Sequence, residues 1–377
     1  MPLEALSTVV GYGQAAAAAY GRLQAALPRS ANPGFGIAAT LVDGVPVAVR
    51  EHVVAERPFC RLLHFRREIR RRDPRVLLIA PLSGQFASML RDMVVALLPG
   101  HEVYVTDWLD AREVPAAQGR FDFADNIDYV MDFIRALGPD LHLIGLCQSA
   151  VPTLAATALL AQAGDDPPPP SLTLISGLID PRIRPTRVER LLAARSLGWF
   201  ERNVISIVPS GYPGHRRRVY PGNTQLSGLL IYLARHMRSG DELYRKVTDD
   251  DGADPVQHPF RRYYAGVMDL PAEFFLDLVR TGFQDFALPR RRLSWRGDRV
   301  DLGAIRRTAL LTIEGALDDI SAPGQTEVAH SLCENIPDRR RGRIREPGVG
   351  HYGTFHGRLW RAAIAPQIAD FIRMAAA

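Results

Sequence analysis

The 377-residue sequence predicts an α/β fold: a mostly parallel central sheet with helices on both faces and a helical cap inserted late in the chain. Three observations carry the prediction. Short apolar runs of strand length recur, each followed by a helical pattern, which is how a parallel sheet with crossover helices reads. That alternation stops near Asp180 and resumes after Asp301, with Pro-, Arg- and aromatic-rich text between. The length allows a large buried core, and 47% hydrophobic with 23% charged residues is ordinary for a globular enzyme.

In order along the chain, residues up to about Ser30 read as an amphipathic helix. Phe35 to Val54 read as two strands joined by the Asp43-Gly44 turn, and residues 1–60 as a whole are expected to join the core. Within 61–180, the first part of the core, strands are expected at Val76–Ala80, Val103–Val105, Leu141–Ile144 and Leu172–Ile175. The Ala- and Leu-rich run Ala150–Ala163 is a helix stopped by Gly164 and a Pro-rich loop. Residues 181–301 form the cap, with helical pieces at Leu226–Met237 and Ala272–Thr281. Residues 302–377 return to the core with a strand at Ala309–Ile313, a helix at Gln325–Cys333 and a strand at Arg343–Arg345. No internal repeat is present.

Composition removes several classes. No apolar run is long enough to span a bilayer, and the Ala-rich Gln14–Tyr20 lacks the flanks of a secretory signal, so a cytoplasmic protein is expected. The three cysteines, Cys60, Cys147 and Cys333, show no metal-ligand spacing, which argues against a disulfide framework and a zinc site and suits a reducing compartment. The formal charge of +5 rests on scattered Arg clusters, Arg66–Arg72 among them, which read as solvated faces rather than a nucleic-acid stripe.

The chemistry begins at LHLIGLCQSA, residues 141–150, where an apolar run stops at a cysteine between small residues. A lone buried Cys is usually a small hydrophobe. Gly145-x-Cys147-x-Ser149 also has the form of a nucleophile elbow, with sulfur in place of the usual serine oxygen. Two further segments decide for the elbow. Beyond the returning strand, Gly315-Ala316-Leu317-Asp318-Asp319 offers a carboxylate pair, and beyond the last strand Gly350-His351-Tyr352 offers an imidazole. Nucleophile, acid, histidine is the α/β-hydrolase order. The Gly-x-x-Asp spacing selects Asp318 as the acid, leaving Asp319 a loop cap. The oxyanion donors are expected from the backbone N–H of Gln148 and from the loop after Val76–Ala80, at Ser83, Gly84 or Gln85. Sulfur suits acyl transfer near neutral pH because a thiolate forms far more readily than an alkoxide.

These segments, with Ala80–Ala87, Val105–Trp108, Leu146–Pro152 and the blocks Glu314–Ser321 and Gly348–Gly353, resemble the intracellular poly(3-hydroxybutyrate) depolymerases of bacteria. The resemblance covers most of the chain and is weakest in the cap and the first 60 or so positions. It implies an α/β-hydrolase with Cys147 as nucleophile, Asp318 as acid and His351 as base, acting on a stored polyester or its oligomers at a cytoplasmic granule surface. It implies no metal and no bound cofactor, with either water or coenzyme A as the acyl acceptor. Gln85, Phe86, Trp108, Trp199 and Tyr212 are the candidate substrate-binding residues, although most of the cap's aromatics, such as Tyr220, Phe274 and Phe275, are expected to form its own core. Two alternatives stand beside this reading. One is a polyhydroxyalkanoate synthase, which shares the Cys-Asp-His set; the other is a non-catalytic protein that coats granules.

Overall fold

The computed structural model describes residues 32–165, 167–224 and 266–376. The expected helix before Ser30 and that at Leu226–Met237 lie outside them, as do Tyr232, Tyr263 and Tyr264.

Nine strands form one sheet: β1 (Ala39–Val42), β2 (Val45–Arg57), β3 (Cys60–Arg67), β4 (Arg75–Ile79), β5 (Glu102–Trp108), β6 (Leu141–Leu146), β7 (Ser171–Ile175), β8 (Ala309–Gly315) and β9 (Arg341–Glu346). Their spatial order is β1-β2-β3-β5-β4-β6-β7-β8-β9. The first three strands and β5 pair antiparallel, and everything from β5 to β9 is parallel. The β1/β2 hairpin turns on Asp43 and Gly44, at φ 50° and 80°, the left-handed pair that such a turn requires. β6, β7 and β8 are buried along their whole length, which explains their unbroken apolar text.

The sequence reading lacked β3. Its Arg67 belongs to the cluster read as a solvated face, yet it is buried and donates to Asp73 at 2.6 Å and Glu102 at 2.8 Å. Two carboxylates repay the burial of that guanidinium, a compensation no local pattern reveals. The helix expected at Gln325–Cys333 shrinks to Ala329–Leu332, because the Glu314 carboxylate on β8 captures the backbone N–H groups of Gly324, Thr326 and Glu327 and holds the segment before it as turns.

Helices α1 (Arg91–Leu97), α2 (Phe123–Leu137) and α3 (Ala150–Ala163) link β4, β5, β6 and β7. The path steps one way from β4 to β5 and then back past β4 to β6. Right-handed crossovers therefore send α1 to one face and α2 and α3 to the other. α2 packs on α3, and the C-terminal helix Ala365–Ala376 packs on α1. Where the path reverses, between β4 and β6, the loops at the strands' carboxyl ends part and leave a crevice.

Between β7 and β8 the described part of the cap contains α4 (Arg187–Ala194) and α5 (Leu197–Asn203). It also holds a small antiparallel sheet of Ser206–Ile207, Arg218–Tyr220 and Leu270–Pro271, and α6 (Ala272–Leu278), which runs into a π-helical turn. Phe200, Tyr220, Phe274 and Phe275 are buried in it, with Tyr220 stacked on Phe275 at 4.1 Å. The cap is tied down beside the crevice: Met268 N–H donates to the Gly84 carbonyl at 2.8 Å, and the buried Arg112–Asp269 pair meets at 3.1 Å.

Candidate active site

Strand β6 delivers Cys147 to the mouth of that crevice, at φ 52°, a left-handed conformation that a residue with a side chain adopts only when its surroundings impose it. Two neighbours impose it. Gly145 lets the start of α3 fold back over the strand, since a Cβ there would lie 2.7 Å from Thr153 Oγ1 and 3.3 Å from the Ala150 Cα. Ser149, in the place of a second glycine, accepts the Leu146 N–H at 2.9 Å and donates to the Ile79 carbonyl at 2.6 Å, bolting the elbow to β4.

His351 reaches the same point from the loop after β9. Its Nδ1 lies 2.9 Å from Asp318 Oδ2, while Cys147 is the imidazole's other side-chain hydrogen-bond partner. Asp318 is held in turn: its Oδ1 accepts the backbone N–H groups of Ile320 at 2.9 Å and Ser321 at 2.8 Å. The approach of the two loops needs Gly315, where a Cβ would meet the Val349 carbonyl oxygen at 2.4 Å. Asp318 and His351 are both buried. Burial alone pulls the imidazole down, but the Asp318 carboxylate and the Cys147 sulfur outweigh it and hold His351 well above its ordinary value.

Cys147, Gln148 and His351 open onto a cleft of about 480 Å3, within the range that holds a small organic ligand. Its walls include Leu82, Met89, Leu192, Tyr220, Phe275 and Val279, with Asp319 and with Tyr352 beside the imidazole. Among the oxyanion candidates, Gln148 and Ser83 line the cleft, whereas Gly84 is turned to the cap through its Met268 bond. Among the substrate-binding candidates only Gln85 lines it. Phe86 and Trp108 are buried and do not line it, the Trp108 indole donating to the Ala80 carbonyl at 2.8 Å. Trp199 packs on Phe200, and Tyr212 lies beneath the Arg112 guanidinium at 4.5 Å, both away from the cleft. Aromatic composition could not separate these positions, because cap core, sheet core and cleft wall all favour the same residues.

Sequence reasoning passed over two groups. The side chain of Gln148 accepts the Leu82 N–H at 2.8 Å through Oε1, so this residue, beyond its backbone, also sets the loop opposite the nucleophile. Glu189 of α4 is buried in the cleft wall, and burial pushes its carboxyl up to about 7. Its only sequence signal was the Thr186-x-x-Glu189 capping box, which predicts a helix start and no more. Among the described residues, no group of three or more His, Cys, Asp or Glu is placed to hold a metal, and no helix is long and apolar enough to cross a membrane.

Comparison with known proteins gives this architecture its class. The fold is similar to that of a soluble variant of monoglyceride lipase from Saccharomyces cerevisiae (13% identity, 93% of this chain and 99% of that one, TM-score 0.51). It is also similar to that of a candidate aryl esterase from Burkholderia cenocepacia (16% identity, 87% and 99%, TM-score 0.50). The fold is that of the α/β-hydrolases. Residues 176–376, more than half of the chain, match the family model described as PHB de-polymerase C-terminus, and the chain belongs to that family. No curated protein sequence matches it.

Proposed function

We propose that this protein is a polyhydroxyalkanoate depolymerase that cleaves ester bonds of poly(3-hydroxybutyrate), or of its oligomers, through an acyl group carried on Cys147. The observation that carries the reading is Cys147 on a left-handed elbow, bonded to a histidine that is itself paired with a buried aspartate, at the foot of an apolar cleft in a member of this family. Attack of the sulfur on the ester carbonyl passes the thiol proton to His351, and the oxyanion lies against the Gln148 N–H and a second donor from the Ser83–Gly84 loop. Collapse breaks the C–O bond, and His351 returns the proton to the departing hydroxyl. Water, deprotonated by His351, then attacks the thioester carbonyl, the C–S bond breaks and the free acid leaves. Coenzyme A in place of water would leave an acyl-CoA. Asp318 keeps the imidazole oriented and stabilises its cationic form.

The insoluble polymer makes a cytoplasmic granule surface the place of action. The experiment is product analysis after incubation with native amorphous granules, with and without coenzyme A, for the wild type and Cys147→Ala. Soluble hydroxyacid or oligomers, or acyl-CoA, released by the wild type alone support the reading. Release by the variant at the same rate rules out the cysteine route. Polymer growth from 3-hydroxybutyryl-CoA would make it a synthase, and granule binding without turnover a coat protein.

A further inference from the structure

The cleft is apolar over most of its wall, yet one side of it is basic. Arg184, Arg187 and Arg190 line it together with Cys147 and His351, and all three arginines are exposed. The carboxyl side chains that line it, among the described residues, are Asp319 and the buried Glu189, which burial raises to about 7 and so leaves partly protonated near neutral pH. The turn that carries Arg184 is fixed to the core. Ile183 N–H donates to the Asp180 carbonyl at 3.1 Å, the Gln325 amide donates to the Ile183 carbonyl at 3.0 Å, and Arg184 follows in the left-handed region at φ 50°. Arg190 reaches back over the same turn and donates to the Pro185 carbonyl at 2.6 Å. Helix α4 begins at Arg187, and the first turn of a helix disfavours cations because the peptide dipoles present their positive end there. These guanidinium groups therefore work against the stability of their own helix, and they line a cleft whose proposed substrate is uncharged along its whole body. Their placement is accounted for by an anionic group on the substrate.

A 3-hydroxyalkanoate chain has one ionised group, the carboxylate at one of its ends. When an internal ester is cut, the acyl half, which runs to the hydroxyl end, stays on Cys147, and the departing alcohol carries the carboxylate end. We infer that Arg184 and Arg190 receive this terminal carboxylate, so that a chain enters the cleft in one direction and is shortened from its carboxyl end. Guanidinium groups suit the task, since their fixed N–H forks match a carboxylate and keep their charge at every working pH. Arg187 adds its charge to the same local potential. The carboxylate is not consumed: His351 protonates the leaving oxygen, and the fragment departs with its charge unchanged. The inference rests on the esterase reading and adds to it a direction of attack and a preference for soluble oligomers and carboxyl ends over the middle of a chain.

The test compares kcat/KM for the dimer, trimer and tetramer of 3-hydroxybutyrate, each as the free acid and as the terminal primary amide, which has the same shape without the charge. The wild type at low ionic strength is expected to prefer the acid about 10-fold at one or more lengths, the worth of a charge-assisted hydrogen bond. In Arg184→Asn, which tolerates the left-handed backbone, and in Arg190→Gln the acid-to-amide ratio falls toward 1, whereas Arg190→Lys keeps part of it. The ratio is internal to each preparation, so a smaller folded fraction does not move it. A second measurement needs no variant: the preference of the wild type shrinks as sodium chloride rises from about 0.05 to 0.5 M, because exposed charges are screened. Equal kcat/KM for acid and amide at every length, or a ratio unchanged in both Arg184→Asn and Arg190→Gln, overturns the proposal while leaving the esterase reading intact. A ratio of 1 together with stronger inhibition by adenosine 3′,5′-bisphosphate than by 3-hydroxybutyrate also overturns it and gives the arginines to the phosphates of coenzyme A. Cleavage of no oligomer in either form overturns both readings.

Discussion

At the scale of single residues, two adjacent aspartates separate cleanly. Asp318 turns Oδ2 to His351 and gives Oδ1 to two backbone N–H groups, so Asp318→Asn would keep the loop contacts while presenting an amide to the imidazole. Turnover is expected to fall by about 1,000-fold or more in Asp318→Asn and by less than about 10-fold in Asp319→Asn, because only the first deprives the histidine of its charged partner. Steady-state kinetics on a soluble ester decides it, and the reverse order would move the acid by one position. The three cysteines divide as clearly. Cys60 and Cys333 are buried, and burial pushes the Cys60 thiol well up and that of Cys333 up to about 12, whereas Cys147 faces the cleft. Iodoacetamide is expected to modify Cys147 alone in the folded protein, with loss of activity in step; mass-spectrometric mapping that finds Cys60 or Cys333 labelled as fast contradicts this. Outside the site, burial holds His142 down at about 4, beside the Ser171 hydroxyl at 2.8 Å. Its folded value lies below the unfolded one, so the unfolded chain binds the proton first and stability is lost as pH falls from about 6.5 toward 4. Glu189, raised to about 7, works in the opposite sense over much of that range, so the comparison must be with a variant. Urea unfolding of wild type and His142→Asn is expected to show the wild type losing about 2–3 kcal/mol more between pH 7 and pH 4.5, and equal losses would count against a neutral buried imidazole.

At the scale of elements, the elbow is the joint on which the site depends. Gly145→Ala would place a methyl 2.7 Å from Thr153 Oγ1, whose own bond to the Ser149 carbonyl, at 2.7 Å, fixes the first turn of α3. A destabilisation of about 1–3 kcal/mol is expected, the usual size for overpacking a tight core, together with a fall in kcat as Cys147 shifts from the imidazole. Unfolding and kinetics on the same preparation test this; an unchanged kcat would mean that the helix can slide without moving the sulfur. Regular elements were legible wherever periodicity and burial agree. α3 runs Ala150–Ala163 and ends at Gly164 as its composition indicates, and the parallel strands stand where the apolar runs are. β3 was hidden because Arg66, Arg67 and the arginines after it mask its alternation, and the partners of Arg67, Asp73 and Glu102, lie on other segments.

At the scale of the whole molecule, the proposed substrate is a solid polyester that a buried site would have to meet. Tyr212 and Ile207 are exposed on the cap's small sheet and its turn, away from the cleft. If this face touches the polymer, Tyr212→Ala will slow granule cleavage several-fold while cleavage of a soluble p-nitrophenyl ester changes less, the two assays being run on protein shown to be folded. An equal effect on both substrates would make the cap a plain cover.

The sequence by itself determined the class of fold, the elbow and the order of cysteine, aspartate and histidine, because each of these is written in local spacing: strand, turn and helix leave their periods and their glycines in place. Only the tertiary structure decided that Phe86, Trp108, Trp199 and Tyr212 lie off the cleft while Glu189 and the side chain of Gln148 lie on it. The reason is physical. A site residue is defined by which surfaces close around it, and Glu189 on α4 shares the cleft wall with Leu82 and Asp319, each more than a hundred positions of chain away, a distance over which no local pattern specifies contact.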